Sequence, residues 1–292
     1  MRITDAMRTN QTLRNLSGLR ESHAQATEEA TSGLRVNRPS DDATAAALLT
    51  RLQSRLDQNT STQKAMSQGR ADLDQSESAL AEASDIMKRA KELALTAANG
   101  GTSPDGRKAT ALEIGGLRQQ LLGLANLKGS RGSLFAGSQT GTPAFDASGV
   151  YQGDGYEHNL QSGPNSEVTV SASGERAFTI AGGRDVFADL SALETAMNNN
   201  DPAAVSGYLD ALDAGHQQMI RERARVGVNQ NRAEQSDTLL THTKLLLETQ
   251  KATAGAADPA ESLTRLVTLQ QNIEQALQVA RKVLDLQLMQ LS

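Results

Sequence analysis

A seven-residue apolar repeat inside a long stretch without proline limits this chain more than any other feature. Leu52, Asn59, Met66, Leu73, Leu80, Met87 and Ala94 recur at that interval, six of the seven are apolar, and no Pro falls between residues 40 and 103. An apolar position every seven residues draws a narrow stripe along one side of an α-helix, the pattern of a helix that packs against another long helix. At about 1.5 Å per residue the segment predicts one helix on the order of 80 Å long. Pro39, Ser40, Asp41 and Asp42 stand at its start. The serine is placed to cap free N–H groups, and the two acids suit the positive end of the helix dipole. Asn99-Gly100-Gly101 and Ser103-Pro104-Asp105-Gly106 break it.

Composition agrees with slender helices. The 292 residues include four Phe, three Tyr and no Trp, whereas a thick globular core draws on aromatic side chains that each bury roughly 150–250 Å². No Cys is present, which excludes a disulfide scaffold and a thiolate metal site. The histidines at 23, 158, 216 and 242 lack metal-ligand spacing. A net charge of −5 and a pI near 5.5 argue against nucleic acid as a partner. The N-terminus lacks the apolar run of a secretory signal, and no segment approaches the ~20 apolar residues of a membrane span, so a soluble chain is expected, with no membrane partner.

The chain divides into five expected segments. Residues 1–39 carry a weak apolar face (Ile3, Met7, Leu13, Leu16, Leu19), and 40–131 form a first helical core, whose shorter second helix places Leu112, Leu117, Leu121 and Leu124 on one side. Residues 132–184 hold five of the seven aromatics with many Gly, and Val168-Thr169-Val170 and Phe178-Thr179-Ile180 have strand composition. This predicts a small β-rich outer insertion with an aromatic core of its own. Residues 185–257 resume helical spacing, with a poor seam through Val205, Leu209, Leu212, His216, Met219, Arg223 and Val226. Over 258–292 the spacing is regular, through Leu263, Leu266, Gln270, Ile273, Leu277, Ala280, Leu284, Gln287 and Leu291. Neither terminal seam suffices for an isolated helix in water. They are expected to pair with each other and with neighbouring copies, through Ile3, Met7, Leu13, Leu16, Leu266, Ile273, Leu277, Leu284 and Leu291. The fold class expected is mainly α, an elongated long-helix bundle with terminal coiled-coil helices and a small β-rich insertion.

Catalytic signals are thin. Ser61-Thr62-Gln63-Lys64 has the SxxK spacing of penicillin-recognising enzymes without their partner motifs. His158 beside Asp154 and Glu157 reads as a surface-loop histidine, and His216 as a polar seam residue that limits register. Arg221, Arg223, Arg225 and Arg232 suit either acids of a neighbouring subunit or ion pairs on a solvated face.

Several segments resemble the flagellin family. Ser32-Gly33-Leu34-Arg35-Val36-Asn37-Arg38-Pro39-Ser40-Asp41-Asp42-Ala43 is similar to the family's N-terminal signature, in the form of its hook-associated branch. Leu134 to Phe145 followed by Tyr151-Gln152-Gly153-Asp154 resembles a region of the hook–filament junction members. Arg223 to Gly227 with Asn231-Arg232, and the segment from Asp258 to Leu291, are similar to the family's second core helix and C-terminal assembly helix. Within the signature, Arg35, Asn37, Arg38, Asp41 and Asp42 are the candidate motif residues. The two acids either complete the helix start or, through Arg35 or Arg38, contact a neighbour.

The resemblance implies a subunit exported unfolded through the flagellar type III channel, without a cleaved signal, to an extracellular place in the flagellum. It implies a ring of copies between hook-associated protein 1 on the hook side and flagellin on the filament side. It further implies an export chaperone on the C-terminal helix, no cofactor and no catalysis. Filament flagellin is the alternative within the class. A secreted coiled-coil membrane translocator, the alternative outside it, needs a strongly apolar or basic amphipathic helix.

Overall fold

The computed structural model describes the backbone of residues 2–163, 166–179 and 183–289, and the side chains of these except 2–6, 8, 9 and 283–289. The chain is mainly α. In order it forms α1 (Arg2–Ser32), α2 (Ala43–Ala98), α3 (Pro104–Ala125), β1 (Lys128–Gly129), β2 (Gly132–Ser133), β3 (Asn159–Gly163), β4 (Ser166–Thr169), α4 (Gly174–Phe178), α5 (Val186–Asn198), α6 (Pro202–Gly207), α7 (Leu209–Gly255) and α8 (Pro259–Met289). The strands make two antiparallel hairpins, β1–β2 and β3–β4. Helix starts follow local chemistry. Ser103, Asp185, Asp201 and Asp258 each accept backbone N–H groups of the following turn, and Pro occupies the first position of α3, α6 and α8, where a missing N–H costs nothing.

Contacts group the residues into two compact units, 1–58 with 244–292, and 59–243. In the second unit the expected stripe of α2 is the spine of the core. Met66, Leu73, Leu80, Met87 and Ala94 are all buried, and Leu52, also buried, belongs to the first unit. Asn59 is buried at the polar position of the stripe, and its Oδ1 has no hydrogen-bond partner among the described residues. The seam that reads as poor on α7 contains a column at steps of seven, Leu212, Met219, Val226 and Ala233, that is buried throughout. The intervening His216 and Arg223 are what weaken it. Arg223 lies outside the core and pairs with Glu77 at 2.7 Å.

Several expectations are corrected. α2 begins at Ala43, so its cap is Asp42 and not Ser40. On α3 the buried side is Arg107, Ala111, Ile114, Leu121 and Ala125, while Leu112 is 78% exposed. Phe178-Thr179 is not strand: Phe178 ends α4, and Ile180 falls outside the described residues. The aromatic core is not separate either. Phe135, Phe145 and Phe178 stack edge-on at 5.5 Å, Phe145 meets Phe187 of α5 at 5.1 Å, and all four belong to the same buried cluster as the stripes of α2 and α7.

Three buried polar side chains on the long helices hold this irregular region in place. Asp72 of α2 accepts from Ser130 N at 2.8 Å, Ser130 Oγ at 2.9 Å and Arg131 Nε at 3.2 Å. Gln218 of α7 donates to the Ala177 and Arg184 carbonyls and accepts from Arg184 N. Glu222 of α7 accepts from Ser173 N and, through both oxygens, from the Arg176 guanidinium at 2.9 and 3.1 Å. These bonds raise the Arg176 pKa well above its ordinary value, Glu222 being the chief cause. A buried carboxylate is tolerable only when its oxygens are occupied in this way.

Candidate assembly surfaces

In the first unit α1 packs on α8. Leu16 and Ala26 of α1 are buried and Leu19 is half-buried, facing a stripe of half-buried Leu266, Leu269, Ile273, Ala276, Leu277 and Ala280 on α8. Arg265 of α8 pairs with the buried Glu29 of α1 at 3.4 Å. Of the nine residues expected at assembly contacts, Leu16, Leu266, Ile273 and Leu277 thus lie at least half-covered within the chain. Met7 and Leu13 are exposed, at 67% and 56%. The side chains of Ile3 and Leu284, and all of Leu291, lie outside the described residues. Leu263, Val267 and Val279 of α8 are exposed as well, Leu263 and Val267 on one flank of the covered stripe and Val279 on the other.

The motif from Arg35 to Asp42 is a clamp inside this same unit. Gly33 ends α1, with its N–H bonded to Glu29 O at 3.0 Å and a φ of 69°, a left-handed conformation glycine adopts without strain. The chain then runs antiparallel to the α7–α8 connection: Leu34 bridges Ala256, Arg35 N donates to Gly255 O at 2.8 Å and Ala257 N to Gly33 O at 3.0 Å. Asp41 Oδ2 accepts from the N–H groups of Asn37 and Arg38 at 3.1 and 2.7 Å, which closes the turn. Asn37 Nδ2 donates to Leu34 O at 3.0 Å. Asp42 Oδ1 caps α2 through Ala45 N at 2.9 Å, while Oδ2 pairs with Arg35 Nη1 at 2.9 Å. The Ala45 N–H and then Arg35 hold the Asp42 carboxyl below the usual carboxylate range. Arg38 pairs with Glu28 at 3.0 Å. Within one chain, then, both acids have structural partners.

The aromatic motif is a second knot, in the other unit. Gly137, at φ 66°, lies so close to Asp154 that a side chain there would collide with its backbone and carboxylate. Asp154 accepts from Ser138 N at 2.7 Å and from Ser138 Oγ, which lowers its pKa. Tyr151 OH donates to backbone carbonyls of this knot, those of Phe135 and Asp154 at 3.0 and 2.8 Å, and burial raises its pKa. His158 touches Gly137 O at 3.2 Å and Tyr156 edge-on. Ser61 and Lys64 of the SxxK spacing lie on α2, in one uninterrupted helix. Among the described residues no group of three or more His, Cys, Asp and Glu is placed to hold a metal, and no helix is long and apolar enough to cross a membrane.

Residues 3–140 match the bacterial flagellin N-terminal helical region. Flagellin from Bacillus subtilis strain 168 is 31% identical over 248 residues, 80% of each chain. The chain belongs to the flagellin family. Flagellar hook-associated protein 3 of Escherichia coli K12 is 27% identical over 263 residues, 82% of this chain and 83% of that protein. The crystal structure of Bacillus cereus FlgL covers 69% of this chain and 99% of its own, with a TM-score of 0.58 and 25% identity. Relatives of this chain thus include proteins that bear the hook-associated name. For this member of the flagellin family, both motifs are loops knotted by their own side chains. The sequence gives no warning of Asp72, Gln218 and Glu222, polar residues whose burial depends on backbone brought from far along the chain.

Proposed function

We propose that this chain is a structural adaptor subunit at the junction between flagellar hook and filament, with no catalytic role. The observation that carries the reading is the set of uncovered apolar side chains on the helices of the first unit: Met7 and Leu13 on α1, and Leu263, Val267 and Val279 on α8. Exposed apolar residues repeated along helices suit burial against further helices. Copies of the chain would supply them in a ring, with hook-associated protein 1 on the hook side and flagellin on the filament side. Export through the flagellar type III channel, outward from the cell, fits a chain free of Cys, and an export chaperone would shield the C-terminal helix beforehand. A filament role is the second reading, favoured by the identity to Bacillus subtilis flagellin.

Electron microscopy of flagella from a strain lacking this gene tests the proposal. Hooks without filaments, with flagellin released into the medium, are expected. Copy number separates the two readings, since a junction subunit forms one short ring and a filament subunit the bulk of the fibre. Normal filaments in the deletion strain would refute the junction role.

A further inference from the structure

Within the second unit a groove runs along α7 from Ala224 to Leu239, walled by Glu157, Ser162, Ser166, Glu167, Val168 and Thr169. It consists of two hollows, of about 560 and 410 Å³, that meet at Arg232. Its floor on α7 carries exposed apolar and cationic side chains, and its wall holds two acids, Glu157, paired with Arg176 at 2.6 Å, and Glu167. Val228 and Leu239 are 52% and 56% exposed, and Arg232 has no ion pair or hydrogen bond among the described residues. Arg225 reaches only Glu222, at 3.5 Å, whose oxygens already serve Arg176 and Ser173 N. The groove therefore suits an apolar side chain flanked by a carboxylate.

The same unit carries such a group elsewhere. Of the five acids in residues 132–184, Glu157 and Glu167 line the groove itself, while Asp146, Asp154 and Glu175 lie outside its lining. Arg176 is taken up by Glu222 and Glu157, and Arg184 by Asp189. The turn from Asp146 to Val150 is closed by its own hydrogen bonds. Asp146 N donates to Val150 O at 3.0 Å, Gly149 N to Asp146 O at 3.0 Å, and Asp146 Oδ1 accepts from the N–H groups of Ser148 and Val150. It presents Val150, 56% exposed, with a carboxylate at its side.

We infer that the α7–hairpin groove seats the Asp146–Val150 turn of a second copy of this chain. The inference rests on the reading that copies form a ring, and it names the contact. Two different surfaces that fit each other on one chain make a head-to-tail interface, which propagates into a ring or a helix, whereas a self-complementary patch stops at a dimer. Opposite charge beside apolar area fixes which way the partner enters.

The absence of Cys makes the test clean. Val228→Cys, an exposed position, is labelled with a benzophenone maleimide, incorporated into flagella and irradiated after the flagella are purified. The expected product joins two copies, and its cross-linked peptide contains residues 146–150. Arg232→Glu in the same background should lower the yield about tenfold, and Leu112→Cys, on exposed α3, should not give this peptide. An adduct with a different flagellar protein, an adduct within one chain, or no adduct while the protein is present in the flagella would overturn the groove contact and leave the junction role standing. Absence of the protein from purified flagella would overturn both.

Discussion

The two units of this chain solve the same packing problem to different degrees. In residues 59–243 the stripes of α2 and α7 close over four phenylalanines, with Met66, Leu73, Leu80, Met87, Ile114, Leu121, Leu190 and Leu193 almost wholly removed from water. Among the described residues of 1–58 and 244–292 the buried apolar set is short (Leu16, Ala26, Val36, Ala45, Leu52, Leu56 and Leu247), while Leu48, Leu245, Leu246 and Leu263 are exposed. Buried apolar area is the main favourable term in folding. One unit therefore closes a large core within a single chain, and the other buries little of its described apolar surface. An assembling subunit needs both: a body that folds before it arrives and ends that finish packing on arrival.

The largest expected effect is on the unit with the large core. Phe178→Ala removes a ring that touches Phe135, Phe145 and Phe187, at a cost of roughly 3–5 kcal/mol. Because these rings share a cluster with the helical stripes, far-UV circular dichroism of the helices and near-UV signals of the aromatic region should be lost in one denaturant transition. Two separate transitions would show that the aromatic region folds independently after all. Next comes Glu222→Ala, which leaves Ser173 N and part of the Arg176 guanidinium without their buried acceptor. A loss of about 1–3 kcal/mol is expected, read in the same denaturation experiment. An unchanged midpoint would mean that Glu157 alone satisfies Arg176.

The other unit should respond in the opposite sense. Leu277→Asp puts a charge on a half-buried position of α8. The stability of the 59–243 unit should move by less than about 0.5 kcal/mol, as for distant independent sites. Motility should be lost and flagellin released, whereas Gln278→Asp, at an exposed position, should swim normally. Retained motility in Leu277→Asp would remove α8 from assembly.

What was legible in the sequence follows the same division. The spacing of α2 identified one column of its buried face, Leu52 to Ala94, because the apolar period records a repeated environment, but not Leu56, Ala79, Ala83, Ala90 and Ala97 buried beside it. On α7 the same rule misled when steps of three and four were weighed together, since His216 and Arg223 dilute a column that is apolar when read at sevens. Leu112 looked like a core residue because leucines 112, 117, 121 and 124 share a side only loosely; Ala111 and Ile114 take the inner place. The region after β2 was legible in composition alone. Its shape depends on Asp72, Gln218 and Glu222, acids and amides that no local pattern distinguishes from surface residues. The signature loop yielded its importance to resemblance and its chemistry only to the structure, where Asp42 and not Ser40 caps the helix.

The smallest expected effect, dependence on pH, separates the units once more. His216 lies half-buried on α7 with its Nε2 buried and unpartnered. Burial lowers its pKa below 6.5, Lys88 and Lys91 push the same way, and Asp213 and Asp85 oppose them. The unfolded chain therefore binds this proton more readily than the folded one. Stability from the neutral ring is fully present above pH 6.5 and is lost as pH falls through the folded pKa. Asp42 of the first unit and Asp154 and Asp213 of the second also have lowered pKa values, chiefly through hydrogen bonds from Ala45 N, Ser138 and Lys91 respectively. Their contributions hold above the ordinary carboxylate value of 3.8 and disappear only below it. Between about pH 6.5 and pH 4 the histidine thus acts without these carboxylates. Thermal unfolding at pH 7.5 and at pH 5 should show a fall in midpoint for the native chain and a smaller fall for His216→Gln. Equal falls in the two proteins would mean that His216 titrates as it does in the unfolded chain, and that its place on α7 is open to water.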